Sequence, residues 1–171
     1  MTQHPTRIAF AAAALAAACA LPVHAAGSVD VTFAADPNRY SDAGRDPNDV
    51  RRNEEALARH LQALGAQWLP DGQQLKVDVI DLDLAGRFKL SHAPGFDQFR
   101  IARGGADTPS IRLRYTLSEG GRVVTSGEET VTDLNYLRHG ADIRDHEPLR
   151  NEKRMLEGWF KSRIVERKPA A

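Results

Sequence analysis

The sequence is poor in cysteine, since Cys19 is the only one among 171 residues. A disulfide needs two thiols, so an intramolecular disulfide is excluded and the core has to hold the domain together without one. Cys19 also lies within an N-terminal stretch that we expect to be removed. The mature domain would then contain no thiol nucleophile.

The sequence also lacks an excess of charge of either sign, and it lacks a long hydrophobic run beyond its N-terminal stretch. Its 23 lysine and arginine residues equal its 23 aspartate and glutamate residues in number. A near-neutral balance offers no electrostatic attraction for nucleic acid or for an anionic membrane surface, so we expect neither as a partner. A membrane-spanning helix needs about 20 nonpolar residues, and we expect none in the mature chain.

The N-terminal segment has the order of charge and hydropathy that is typical of a secretory signal. One basic residue precedes residues 8–21, which carry no charge, and Val23 and Ala25 supply the small residues that a signal peptidase reads. We expect a cleavable signal peptide over residues 1–25, with cleavage after Ala25 or Ala26 and export to the periplasm.

A lipid anchor at Cys19 is the alternative to this cleavage. Residues 16–19 loosely resemble a lipobox, in which a cysteine is acylated and becomes the first residue of the mature protein. A lipobox usually has leucine three positions before the cysteine, where this chain has Ala16. Because the nonpolar stretch also continues beyond Cys19, we favour the cleaved signal.

Two amphipathic helices are predicted. Asp46 and Pro47 suit an N-cap and a first helical position, and nonpolar residues then recur on one face, which predicts a helix over 47–67. A second helix is predicted to begin near Glu147. The two nonpolar faces consist of Val50, Leu57, Leu61, Leu64 and Trp68, and of Leu149, Leu156, Trp159, Phe160 and Ile164.

Alternation of polar and nonpolar residues predicts five strands. They cover residues 29–33, 75–84, 99–103, 111–117 and 123–134. The alternation changes phase at Val79 and Ile80, which predicts either a bulge or a strand that leaves one layer and enters another, and Gly127 indicates a bulge in the last strand. The element order is β-α-β-β-β-β-α. We therefore predict an α+β fold in one domain over 27–168, with a mostly antiparallel sheet and both helices packed on one face of it.

Two groups of polar residues could bind a metal ion. Asp81 and Asp83 share a strand face, with Cβ atoms about 7 Å apart, a spacing that suits a divalent cation. The alternative is that the opposite strand face is the buried one and both aspartates are solvated. His139 and His146 belong to a second cluster, in an aperiodic segment that is equally typical of an ordinary loop. No loop supplies the further oxygens that a cation between the two aspartates would need, and the histidine cluster has no ligand pair at a fixed spacing. We therefore predict no metal site and keep these four residues as candidates.

No catalytic motif or cofactor fingerprint is present. The chain contains no Gly-x-Ser-x-Gly sequence and no glycine-rich loop with the Lys-Ser/Thr pair that binds phosphate. We therefore predict no catalytic residue and no cofactor. Arg112 and Arg114, with Arg100 and Arg103 beside them, could form a basic patch, although a solvated sheet face explains them more simply.

Short motifs are spread over nearly the whole mature chain. They are Val31-Thr32-Phe33, Tyr40-Ser41-Asp42, Leu75-Lys76-Val77, Asp81-Leu82-Asp83-Leu84-Ala85-Gly86, Ser126-Gly127-Glu128, Asp133-Leu134-Asn135-Tyr136, Leu149-Arg150-Asn151-Glu152-Lys153 and Trp159-Phe160. In this combination the chain resembles the bacterial secreted proteins grouped as domain of unknown function 3016. The resemblance implies an exported single domain, and it implies no activity, substrate or catalytic residue.

The sequence leads to two hypotheses about function. The first is a non-catalytic periplasmic domain that binds a partner protein or an envelope component. The second is a metal-binding protein or metal-dependent hydrolase that uses Asp81 and Asp83 together with His139 or His146. The distance of the histidines from the two aspartates would separate the hypotheses.

Overall fold

Six strands and two helices make up the regular structure of the described residues. A computed structural model describes residues 26–90, 98–101, 107–138 and 147–169. The predicted signal peptide, Arg103, His139 and His146 lie outside these ranges. In chain order the elements are β1 Ser28–Phe33, α1 Pro47–Trp68, β2 Gln73–Asp83, β3 Arg87–Leu90, β4 Gln98–Ile101, β5 Ser110–Glu119, β6 Arg122–Thr132 and α2 Arg150–Trp159, which continues as a π-helical stretch, Phe160–Val165.

The strands form a main sheet in the order β1-β2-β5-β6 and a separate two-stranded sheet of β3 and β4. β1 lies parallel to β2, because α1 carries the chain back across the sheet between them, and every other strand pair is antiparallel. The predicted α+β class and mostly antiparallel sheet are therefore confirmed. The structure adds one strand, β3, in a segment to which the sequence pattern assigned no element.

The start of α1 follows the capping rules that predicted it. The side chain of Asp46 accepts hydrogen bonds from the backbone N–H groups of Asn48, at 2.9 Å, and Asp49, at 3.0 Å, and Pro47 occupies the first helical position. Further along, Gly65 packs against β1, where an added Cβ would lie 2.2 Å from the Val29 Cγ2 atom. A glycine is therefore required at this contact between helix and sheet.

The bulge predicted in β2 is confirmed. The pairing of β2 with β5 shifts register between Val79 and Asp81, so that Leu82 takes the buried side that Val77 and Val79 occupy before the shift. The extra residue is Ile80, which is half-buried. One inserted residue is what reverses the face of a strand.

The bulge predicted at Gly127 is wrong, because Gly127 pairs in regular register with Tyr115. The register of β6 instead shifts between Leu117 and Ser118 on its partner strand, which leaves Val124 as the extra residue. Gly127 has a packing role, since an added Cβ would lie 3.0 Å from the Tyr115 Oη atom. The glycine makes room for this ring on the helix-covered face of the sheet.

Both helices pack on one face of the main sheet, as predicted. A single hydrophobic core joins the nonpolar faces of α1 and α2 to the inward residues of β2 and β5. The opposite sheet face is solvated: Arg112 and Arg114 are exposed there, and Arg114 forms an ion pair with Glu128 at 2.8 Å. None of the helices in the described ranges has the length and nonpolar character that a membrane crossing requires.

His60 joins the two helices and makes the stability dependent on pH. Its Nε2 atom lies 3.0 Å from the backbone oxygen of Lys153 on α2. Burial lowers the pKa of His60, and so does the charge of Lys153, whereas that hydrogen bond and the charges of Glu157 and Glu147 act in the opposite direction. The net result is a pKa below the usual histidine value. The folded state therefore takes up the proton less readily than the unfolded state does.

A group with this shift stabilises the fold above its unfolded pKa and loses that contribution as the pH falls through the folded pKa. We expect the free energy of unfolding to fall between about pH 7.5 and pH 5.5, and we expect His60→Gln to fall less steeply over the same interval. Urea unfolding of both proteins at several pH values measures the difference. Equal slopes in the two proteins would contradict the role assigned to His60.

Candidate functional site

A cleft of about 500 Å³ lies where the first turns of α1 and α2 meet the turn after β2 and the small sheet of β3 and β4. We call it the arginine cleft. Its principal lining residues are Arg45, Asn53, Leu84, Phe88, Leu149 and Arg150, with Arg100 and Glu152 behind them.

Arg100 holds one wall of the arginine cleft in place. Its Nη1 atom donates to the backbone oxygens of Leu84, at 3.0 Å, Ala85, at 3.3 Å, and Gly86, at 2.7 Å. Its Nη2 atom donates to Asp42 at 2.7 Å. The guanidinium also lies 4.2 Å from the centroid of the Phe88 ring, within the range of a cation–π contact. Arg100 thus fixes the turn after β2 from the small sheet, whereas Arg112 and Arg114 lie on the solvated face of the main sheet.

Glu152 fixes the same turn from the opposite side. It is only 3% exposed, and its Oε1 atom accepts a hydrogen bond from the backbone N–H of Ala85 at 2.7 Å. Leu149, which precedes α2, adopts a left-handed conformation with φ of 59°, and no side chain caps the helix. The turn after β2 is therefore held between a strand arginine and a helix glutamate.

The segment before α1 is anchored by two further side chains. Asp81 accepts hydrogen bonds from the backbone N–H of Ser41, from the Ser41 hydroxyl and from the backbone N–H of Leu82, at 2.8, 2.8 and 2.9 Å. Tyr40 donates its hydroxyl to Glu54 at 2.8 Å. Burial, with the hydrogen bond to Glu54 and its charge, raises the pKa of Tyr40 far above its ordinary value.

Asp83 lies beside two other carboxylates. Its backbone pairs with that of Asp42 in a parallel bridge, and desolvation raises its pKa, with further contributions in the same direction from the charges of Asp42 and Asp81. Both oxygens of Asp81 are already engaged by Ser41. Within the described ranges no three acidic, histidine or cysteine residues form a group that could hold a metal ion. His139 and His146 lie outside those ranges, so the metal hypothesis stays a prediction.

The carboxylates on the rim of the cleft are paired as well. Asp49 accepts from the backbone N–H and the Nε atom of Arg45, both at 3.1 Å, and from Arg52 at 2.8 Å. Partial burial by itself would raise the pKa of Asp49, but these hydrogen bonds lower it below the usual aspartate value. Glu147 forms an ion pair with Lys153. Each acidic side chain of the cleft therefore already has a partner within the chain.

Glu152, Arg45 and Phe88 belong to this site, and the sequence patterns did not predict them as site residues. Glu152 could have been recognised from its position: it lies three residues after Leu149 and four before Leu156 and so falls on the nonpolar face of α2. A charged residue in that position indicates a buried partner. Arg45 and Phe88 lie in segments without periodicity, and their position depends on contacts with distant parts of the chain.

Three of the sequence motifs converge on this region: residues 40–42 and 81–86 are bound to each other, and residues 149–153 begin α2. The family model described as Protein of unknown function (DUF3016) matches residues 27–162. No curated protein and no solved structure matches the chain. The matched range spans all eight strands and helices described above, and the chain therefore belongs to the DUF3016 family.

Proposed function

We propose that the protein is exported to the periplasm and binds a partner protein or an envelope component in the arginine cleft, without catalysing a reaction. The order of charge and hydropathy in residues 1–25 supports export. The match to the family model agrees with the resemblance seen in the sequence motifs, and it assigns no activity to the domain. The observation that supports the binding function most directly is the arginine cleft.

The size and construction of the arginine cleft are those of a binding site. Its volume of about 500 Å³ falls within the range of about 300–1,000 Å³ that is usual for ligand pockets. Arg100 holds the turn after β2 by a part-buried hydrogen bond and Glu152 by a buried one, so this wall is in place before a ligand arrives. A pre-formed wall lowers the entropic cost of binding.

The chemistry of the lining favours binding over catalysis. The described residues that line the cleft include no serine, threonine, cysteine or histidine. Nucleophilic catalysis needs such a side chain beside a general base, and a general base must be able to accept a proton from substrate. The cleft carboxylates of Asp49, Glu147 and Glu152 are instead engaged with N–H groups or cations.

Site-directed crosslinking in the full chain tests the proposal. A benzophenone amino acid placed at Asn151, on the cleft wall, is expected to crosslink one defined species in periplasm-containing cells. The matched control has the same amino acid at Arg112, on the solvated sheet face, and is expected to give no such species.

Equal crosslinking at both positions, or none at Asn151, would refute binding in the cleft. Intact mass of the same preparation tests export: the expected N-terminus is Ala26 or Gly27, and a lipid-modified Cys19 would establish the alternative anchor. An uncleaved chain found only in the cytoplasm contradicts export. Turnover of a substrate by the purified mature protein would refute the non-catalytic part.

A further inference from the structure

We infer that the ligand of the arginine cleft carries an anionic group, a carboxylate or a phosphate, attached to a nonpolar moiety. This inference rests on the proposed function and specifies the chemistry of the same site. Two independent features lead to it: the pairing of the charged side chains, and the nonpolar wall beside them.

The acidic side chains of the cleft have little capacity left for a cationic ligand. Asp49 is bound by Arg45 and Arg52, and its lowered pKa keeps it ionised and paired. Glu152 is buried against the N–H of Ala85. A cation entering the cleft would have to displace these contacts, and a buried group left without its partner costs about 1–3 kcal/mol.

The basic side chains of the cleft, in contrast, have N–H donors that are not used in the contacts described. Arg150 is half-buried on the cleft wall and has no ion-pair or hydrogen-bond partner within the described part of the chain. Arg45 uses only its backbone N–H and Nε in the contacts found there, which leaves both Nη atoms available. A planar guanidinium with two free N–H groups suits the two oxygens of a carboxylate or phosphate.

The start of α2 contributes further donors to the same wall. The N-cap residue Leu149 makes no side-chain capping bond, and within the described ranges no side chain accepts from the first backbone N–H groups, at Arg150 and Asn151. The helix dipole favours negative charge at this end. The guanidinium groups by themselves already indicate a negatively charged ligand. The backbone N–H groups at the helix end add further hydrogen-bond donors for it.

A nonpolar surface lies next to these donors. Phe88 and Leu149, which are both half-buried, line the cleft beside the buried Leu84. The Phe88 ring is held by the guanidinium of Arg100 at 4.2 Å and faces that of Arg45 at 5.8 Å. A small free anion would leave this wall in contact with water. A nonpolar group joined to the anion would cover it, at about 25 cal/mol for each Å² of nonpolar surface removed from water.

Titration with small aromatic probes tests the inference. The probes are benzoate and phenyl phosphate, with benzamide as the neutral analogue and inorganic phosphate as the anion without a nonpolar group. We expect saturable shifts of backbone amide NMR signals around residues 84–88 and 149–152 with benzoate or phenyl phosphate, and at least about tenfold weaker binding of the other two compounds. The ratio of the two anionic probes distinguishes a carboxylate ligand from a phosphate ligand.

Charge-removing variants locate the anion. Arg150→Gln and Arg45→Gln are each expected to weaken binding of the better probe at least about tenfold, since each removes a charged hydrogen-bond donor from the anion. Arg51→Gln is the matched control, because Arg51 lies on α1 outside the cleft and is exposed. It is expected to change the affinity less than about twofold.

Three results would overturn the inference. Benzamide that binds as tightly as benzoate would show that the negative charge is not recognised. An equal loss in Arg51→Gln would show that the anions respond to overall charge. If no probe gives saturable shifts in the wild-type protein while the crosslink at Asn151 persists, the anion inference fails and the proposed function stands. The wild-type shift map requires no variant, so it decides the question even if a variant does not fold.

Discussion

Phe160→Ala is expected to lower the free energy of unfolding by about 4 kcal/mol, the largest effect that we predict for a single substitution. The Phe160 side chain is 0% exposed. Its ring centroid lies 5.8 Å from that of Trp68 on α1 and 6.2 Å from that of Trp159 on α2. Replacing the ring by a methyl group removes buried nonpolar surface and leaves a cavity between the two helices. Both effects lower the free energy of unfolding, and their contributions add.

Urea unfolding of the mature domain measures this change. Val165→Ala is the matched control, because Val165 belongs to the same π-helical stretch and is 46% exposed. We expect the control to change the free energy of unfolding by at most about 0.5 kcal/mol. Similar losses in the two variants would contradict a core in which the helices are joined through Phe160.

Arg100→Met is the second substitution for which we expect a large effect, a loss of about 3 kcal/mol in the free energy of unfolding. The Arg100 side chain is only 21% exposed, and it donates to three backbone oxygens of the turn after β2 and to Asp42. Methionine keeps much of the nonpolar stem but removes all of these donors. The carbonyl groups and the carboxylate of Asp42 would then remain partly buried without their partner.

Arg87→Met provides a matched control from the same small sheet. Arg87 forms an ion pair with Asp107 at 2.8 Å, but its side chain is 67% exposed. Exposed pairs contribute about 0–1 kcal/mol, so we expect a loss at the lower end of that range. Urea unfolding of both variants makes the comparison. If Arg87→Met costs as much as Arg100→Met, the role of Arg100 as the anchor of the cleft wall is refuted.

Local sequence patterns were sufficient to predict a structural feature where the physical cause of that feature is local. The cap of α1 depends on Asp46 and the two residues that follow Pro47, all within one turn, and its prediction was confirmed. The bulge at Ile80 was also predictable, because the phase of nonpolar residues along β2 records which face is buried on either side of it. In both cases neighbouring residues carry the full information.

Local patterns were insufficient where a residue acts through a distant partner. Gly127 was interpreted as a bulge because glycine in a strand often marks one, but here it makes room for the Tyr115 ring of the neighbouring strand β5. Asp81 was singled out for its spacing from Asp83, but its oxygens bind Ser41, 40 residues earlier in the chain. This partner could not be inferred from the spacing.

From its sequence alone, this protein could be assigned an α+β fold, the nonpolar faces of its two helices, and membership of a family. The fold class and the nonpolar helix faces follow from composition and periodicity, which act over a few residues, whereas the family follows from the combination of short motifs along the chain. The arginine cleft was decided only by the tertiary structure. Its charge pattern depends on which side chains are already paired, and pairs such as Arg100 with Asp42, 58 residues apart, form only when the chain is folded. The absence of a hydrogen-bond or ion-pair partner for Arg150 among the described residues is likewise a property that no sequence pattern encodes.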